Sequence, residues 1–369
     1  MVVDGGSDSG SPSVAKKLAR LATTCPNRVH ATSGVRDPAW DSLQRPIRGY
    51  AGRQQPAHPD TTIIPVRRLL PEASSGTILS FTVILCGGLI RPDTAYAKEL
   101  LQLDPLADHC RMTFLIATCA FPFDVARSLE LALFRTYAVP RISALLRSTG
   151  ELTERTRKRY DDTDLLLSEI IEHGYDSPRG KAAIANINGQ HARYPIRNED
   201  YLYVLSTFVY EPIRWIDRYG YRALRESERL AWFYFWRAVG ERMNIQDMPM
   251  GYGEFERFNI AYESARFRFA QSNRDIARQT SDLLLGFYLP RALFALGRPA
   301  IHALLDAPLL YALGIPSQPA WLNWTLTQAL RVRGRIAAAL PLHQRPVLRT
   351  RLRRPTYPAG YSLDDLGPK

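Results

Sequence analysis

The stretch RYDDTDLLLSEIIEHGYDSPRGKAAIANINGQHARYPIRNEDYLY, residues 159–203, decides the fold class. Its apolar residues fall at helical spacing in two runs, separated by Gly174 and Ser177-Pro178. Glycine suits the left-handed turn that closes a helix, serine accepts from the free N–H groups that open one, and proline fits the first turn. The spacing therefore predicts two consecutive helices meeting at Gly174–Pro178. Asn198 stands as the cap of a third, EDYLYVLSTFVYEPIRWIDRYG, which Pro212 is expected to kink or shorten.

The same punctuation continues in both directions. AYAKELLQL stops before Asp104-Pro105, DHCRMTFLIATC before Phe121-Pro122, DVARSLELALFRTY before Val139-Pro140, and ISALLRS at Gly150. Downstream, SERLAWFYFWRAVGERM, GEFERFNIAYESARFRFAQ and RDIARQTSDLLLGFYL are separated by Asp247-Met248-Pro249 and ended by Pro290. Two further helical stretches lie near 300–313 and 319–339. No alternating strand pattern bounded by hairpin turns appears. The expectation is an all-α protein: one large domain of about ten helices over residues 77–369, behind a Gly/Ser/Pro-rich disordered leader over 1–76.

The chain has 369 residues, 46% of them hydrophobic, with 18 Tyr, 14 Phe and 6 Trp, enough for a sizeable core. Its four cysteines show no C-x-x-C spacing and read as buried thiols of a reducing compartment. The formal charge is +12, and eight arginines lie between Arg331 and Arg354 without one Asp or Glu. Arginines set among apolar residues fit an anionic membrane surface better than a nucleic-acid groove, and no DNA- or RNA-binding module is visible. A plain solvated basic face is the alternative. The most apolar run, TILSFTVILCGGLI at 77–90, is 14 residues against roughly 20 for a bilayer span. It reads as a buried or interfacial segment, with a membrane anchor as the alternative.

No nucleophile elbow, P-loop, dinucleotide fingerprint or H-E-x-x-H occurs, and no two of the seven histidines stand at i, i+3 or i, i+4. His191 is therefore judged singly. It continues a stripe through Ile184 and Ile187, with Asn186, Asn188 and Gln190 beside it. Two readings stay open: a core histidine hydrogen-bonded at both nitrogens, or a metal ligand. Arg159, Asp162 and Thr163 stand at i, i+3 and i+4, either an ion pair on a wet face or the lip of a pocket. The run WFYF opening residues 232–249 serves a buried core and a flat cofactor equally well.

Several blocks resemble the oxygenase family that includes the latex-clearing (rubber) oxygenases and the endoplasmic-reticulum-bound oxygenase MpaB of mycophenolic acid synthesis. They are FPFDVARSLELALFRTYAVPRISALLRSTGE (121–151), RYDDT (159–163), RNEDYLYVLSTFVYEPIRW (197–215), ERLAWFYFWRAVGERMNI (228–245), AYESARF (261–267) and TYPAGYSLDDLGP (356–368). The resemblance runs from about residue 105 to the C-terminus. It implies globin-like packing of helices around a pocket for haem b, with His191 as the iron ligand. Arg159 and Thr163 match a distal-side arginine and threonine four apart. Where rubber oxygenases carry a lysine before that threonine, this chain has Asp162, as in the MpaB-like branch, so the resemblance puts Asp162 in the catalytic set with Arg159 and Thr163.

The reaction implied is cleavage of a C=C bond in a lipophilic, isoprenoid-type molecule by O2, near the membrane from which such molecules partition, the endoplasmic reticulum by the same resemblance. Membrane contact would run through Arg331–Arg354, and nucleic acid is not an expected partner. The competing reading is a non-catalytic helical protein that binds lipid or a membrane surface. A basic nucleic-acid module is a third.

Overall fold

The computed structural model describes residues 95–339 and 345–368, which fall in one compact unit. The leader expected over 1–76 and the apolar run at 77–90 lie outside the described residues. Among those described there are fourteen α-helices and no strand, only a single bridge between Arg354 and Tyr357. The count exceeds ten because short turns that carry no periodicity, such as Glu151–Glu154, fold as separate helices.

In chain order, α1 is Ala95–Gln102 and α2 is His109–Leu115. The latter widens into a π-type turn, Ile116–Ala120. At Phe121 the chain turns through 101° into α3, Pro122–Tyr137. The wide turn leaves the Thr118 carbonyl available to the Val347 N–H at 2.8 Å. Helices α4 (Pro140–Ser148), α5 (Glu151–Glu154) and α6 (Thr156–His173) follow. Gly174, at φ 80°, ends α6 in a conformation only glycine adopts readily. Ser177 then caps α7, Pro178–His191, accepting from the Gly180 N–H at 3.0 Å. The longest helix, α8, is Asn198–Tyr219, followed by α9 (Glu226–Arg242), α10 (Tyr252–Arg266), α11 (Gln271–Leu285), α12 (Phe294–His302), α13 (Ala307–Ala312) and α14 (Ala320–Ala339).

Two expectations are corrected. Of the two outcomes expected at Pro212, shortening does not occur: α8 continues past it to Tyr219. The carbonyl that Pro212 cannot reach, Phe208, accepts instead from the Trp232 indole N–H at 2.9 Å. Asn198 is not a cap. Arg197 holds that position without a side-chain bond, and Asn198 clips a distant loop, donating 2.8 Å to the Gln246 carbonyl and accepting from its N–H.

Two apolar clusters form the interior. One gathers Ile170, Ile184, Leu205, Tyr210, Trp232, Phe235 and Trp236; the other Phe134, Tyr137, Tyr203, Tyr262, Ile276 and Leu309. Each fully buried aromatic contributes on the order of 2–3 kcal/mol of transfer free energy. The aromatic run of α9 is core: Trp232, Phe233, Phe235 and Trp236 are buried. Helices α6 and α8 send residues into both clusters, Leu165 and Leu205 to the first, Tyr160 and Tyr203 to the second. Between them the second cluster encloses Arg135, held charged by Glu263, Glu211 and Asp306.

No single described helix is long and apolar enough to cross a membrane. The bent pair α2–α3 would be apolar enough together, but Met112, Leu115, Ile116, Phe134 and Tyr137 are buried core.

Candidate functional site

The α6–α7 hairpin sets the geometry. A Cβ on Gly180 would overlap the Gly174 carbonyl, so only glycine lets the start of α7 close against the end of α6. From that pivot α7 runs to His191 at its last turn. Arg159 and Thr163 lie near the other end of α6.

His191 is half-buried, its Nδ1 is fully buried without a hydrogen-bond partner, and its ring meets the edge of Tyr201 on α8 at a centroid distance of 5.4 Å. Burial, and next the charge of Arg159, pull its pKa down to about 4. At neutral pH the imidazole is therefore uncharged and keeps a lone pair for a ligand. The core-histidine reading, with both nitrogens hydrogen-bonded, does not describe this ring.

The Arg159 guanidinium donates to the Thr163 hydroxyl, and that hydroxyl donates 2.8 Å to the Arg159 carbonyl. The Thr163 proton is thus committed to the helix backbone, and its oxygen fixes where the guanidinium points. No carboxylate among the described residues pairs with Arg159. Arg159 thus lends its charge to the His191 ring and the buried Tyr137 hydroxyl rather than to a carboxylate among the described residues.

Asp162 is placed elsewhere. It is 2% exposed and accepts from Lys158 Nζ at 2.7 Å, from the Gly367 N–H at 3.0 Å and from the Tyr357 hydroxyl. These partners bind the C-terminal segment to α6, and they leave the carboxylate no free direction toward Arg159. The neighbouring acids act alike: Asp161 accepts from Thr356 at 2.5 Å, Glu169 from Tyr361 at 2.7 Å, and Asp164 from Arg349 at 2.8 Å and from Arg354. On the α7 side, Asn186 donates to the carbonyls of Leu363 and Leu366. The structure thus brings His191, Arg159 and Thr163 together and turns Asp162 away. Tyr201 and Tyr137 join the site unforeseen, since neither forms a spacing pattern with His191 in the sequence.

A groove of about 960 Å³ opens at the N-terminal end of α6, lined by Arg155, Lys158, Leu283, Leu289, Phe294 and Thr356 among others. Neither His191 nor Arg159 lines it. Among the described residues no three His, Cys, Asp or Glu side chains converge to hold a metal.

Residues 132–340 match the family model of the catalytic domain of ER-bound oxygenase mpaB/B′ and rubber oxygenase. An ER-bound oxygenase mpaB′ of Penicillium brevicompactum is 31% identical over 209 residues, 52% of this chain and 49% of that protein. An ER-bound oxygenase mpaB of Penicillium roqueforti (strain FM164) is 30% identical over 208 residues, 52% and 70% of the two chains. An mpaB of P. brevicompactum is 35% identical over 188 residues, 46% and 48%. The chain thus spans about half the length of two of these relatives and 70% of the third. The matched region holds α6, α7 and every residue of the imidazole–guanidinium site, and the chain belongs to the mpaB/rubber oxygenase family of oxygenases.

Proposed function

We propose that this chain is a haem b-dependent oxygenase that cleaves a C=C bond of a lipophilic, isoprenoid-type molecule with O2. One observation carries the reading: a neutral imidazole with an orphaned, buried nitrogen, opposite an arginine without a counter-ion. The donor set fits the group. Because no three His, Cys, Asp or Glu side chains among the described residues converge to hold a bare metal ion, a metal held by His191 would need further ligands from a group that carries it, such as a porphyrin. Bound haem supplies an iron that activates O2, chemistry no protein side chain performs.

The chain's own residues supply the surroundings. His191 offers its lone pair, with Tyr201 against the ring to fix its plane. Arg159 presents a permanent positive charge to electron-rich atoms in the site, and Thr163 sets its direction. Ile184 and Ile187, on the same α7 stripe as His191, give the site an apolar flank suited to an alkene. Because the relatives are named ER-bound, we place the protein at a membrane, that of the endoplasmic reticulum, from which a lipophilic substrate partitions.

Titration of the purified protein with haemin tests the reading. The expected result is a Soret band shifted from that of free haemin, lost in His191→Ala and restored there by added imidazole. An unshifted band in the parent, or an unchanged one in His191→Ala, overturns it.

A further inference from the structure

Helix α14 is twenty residues long, and Gly334 is the one residue in it that is buried. Its inner side is bolted down. A Cβ on Gly334 would come within 2.7 Å of the Tyr219 carbonyl oxygen, and Arg333 donates 2.6 Å to the buried Asp124 while lying 4.3 Å over the Phe123 ring. Its outer side carries Trp321 (67% exposed), Trp324 (66%), Val332 (47%) and Ile336 (52%). At about 100° per residue these four positions form one stripe. Arg335 falls within the stripe, between Trp321 and Trp324 in projection, and Arg331 lies at its Trp324 edge; both are exposed and without a carboxylate partner among the described residues.

We infer that this stripe is where the protein lies on an anionic lipid bilayer, α14 in the plane of the headgroups with Trp321 and Trp324 inserted. The inference rests on the membrane reading above and assigns it a surface. Charge selects the occupant. From Ala307 to Leu363 the sequence contains no Asp or Glu, so α14 itself brings only positive charge to this face. A second copy docking the same stripe would set Arg331 and Arg335 against themselves, whereas phosphate headgroups neutralise them. The side chains suit the same depth profile: indoles settle at the interface, Val332 and Ile336 enter the acyl boundary, and arginines reach back to the phosphates. Leu296 on α12, which packs against α14, is a further exposed apolar side chain (77%) on a neighbouring helix. The basic contact read from sequence across Arg331–Arg354 is redistributed accordingly, because Arg333, Arg349 and Arg354 are consumed by Asp124 and Asp164.

Flotation of the full chain with phosphatidylcholine vesicles, with or without about 30 mol% phosphatidylserine, tests the assignment. The parent floats with the anionic vesicles. Trp321→Ser/Trp324→Ser lowers partitioning at least tenfold, and Arg331→Gln/Arg335→Gln lowers it about thirtyfold on anionic vesicles alone, at unchanged melting temperature. A parent that does not float removes the membrane reading itself. A parent that floats together with an equally floating Trp321→Ser/Trp324→Ser variant removes only this surface. A variant whose melting temperature falls by several degrees shows the stripe covered by the chain itself, and one that turns a dimeric parent monomeric shows it to be a protein interface; either overturns the inference.

Discussion

The Trp232 indole on α9 donates its N–H to the Phe208 carbonyl on α8, the acceptor left over because Pro212 has no N–H to return to it. The tertiary bond replaces the helical one, and α8 passes its proline intact between the two cores. Trp232→Phe leaves that carbonyl buried and unpaired, at an expected cost of about 1–3 kcal/mol. Pro212→Ala restores a local donor. The pair should therefore be coupled: the cost of Trp232→Phe measured by urea unfolding should shrink by about 1 kcal/mol or more in the Pro212→Ala background. Additive effects would show that the indole bond does not substitute for the missing one.

Helix boundaries in this chain are legible because proline, glycine and serine act locally: Ser177-Pro178 opens α7 where the sequence places it, and Gly174 closes α6. What the sequence hides depends on partners far away. The indole that rescues Pro212 is 20 residues on, and the loop that recruits Asn198 is 48 residues on. Asp162 shows the limit of spacing arguments. Residues at i, i+3 and i+4 share a helix surface, but Asp162 and Thr163 differ by about 100° around the axis, and the C-terminal segment that claims Asp162 arrives some two hundred residues later. His191 was legible as a single imidazole on an apolar stripe. That its nitrogen would be left without a partner depends on what surrounds it, which no local pattern encodes.

Asp162 is expected to act on folding rather than turnover. Asp162→Ala takes the shared acceptor from three donors of the clasp, Lys158, Tyr357 and the Gly367 N–H, and leaves Lys158 buried for most of its surface. The expected loss is about 3 kcal/mol, toward the low end for breaking a buried pair because Lys158 still reaches solvent. Limited proteolysis should then cut within residues 356–368, and the folded fraction should keep its activity. A stable variant that resists the protease and has lost turnover would put Asp162 back in the chemistry.

Arg159 should separate cleanly from it. Arg159→Ala is expected to retain haem and to slow turnover by roughly ten- to a thousandfold, the range for losing one preorganised electrostatic group. A second readout needs no cofactor. Since the guanidinium is one of the two causes that hold His191 near 4, the imidazole in haem-free Arg159→Ala should titrate at higher pH, followed by its ring-proton resonances in NMR. An unmoved titration would mean that the two side chains do not sense each other.

Glu130 on α3 gives a pH dependence of opposite sign from a surface carboxylate. Burial pushes its pKa up to about 7 against the pull of Arg127 and the Tyr160 hydroxyl, which donates 2.5 Å to it. The folded state therefore binds a proton more tightly than the unfolded chain, whose glutamate titrates near 4.5. This contribution to stability is complete below about pH 4.5 and is lost as pH rises through about 7, on the order of 3 kcal/mol in all. Glu130→Gln keeps an acceptor for Tyr160 and removes the proton. Unfolding free energies at pH 5 and pH 8 should show the variant gaining on the parent at the higher pH; parallel curves would mean that Glu130 is ionised throughout.

The α6–α7 pivot offers a test of how the site is held, with its own control on the same helix. Gly180→Ala drives a methyl into the Gly174 carbonyl, and backbone cannot yield as a flexible side chain does. The start of α7 must shift, at about 1–3 kcal/mol for an overpacked contact. His191, eleven residues along the same rigid helix, moves with it relative to Arg159 on α6. Gly189→Ala adds the same methyl two residues before His191 but into open space, and should be neutral or stabilise the helix by up to about 1 kcal/mol. If the hairpin sets the imidazole–guanidinium geometry, haemin titration weakens in Gly180→Ala and not in Gly189→Ala, although the second change is far nearer the ligand. Equal weakening in both, or in Gly189→Ala alone, would mean that the end of α7 is positioned by α8 and Tyr201 rather than by its pivot on α6.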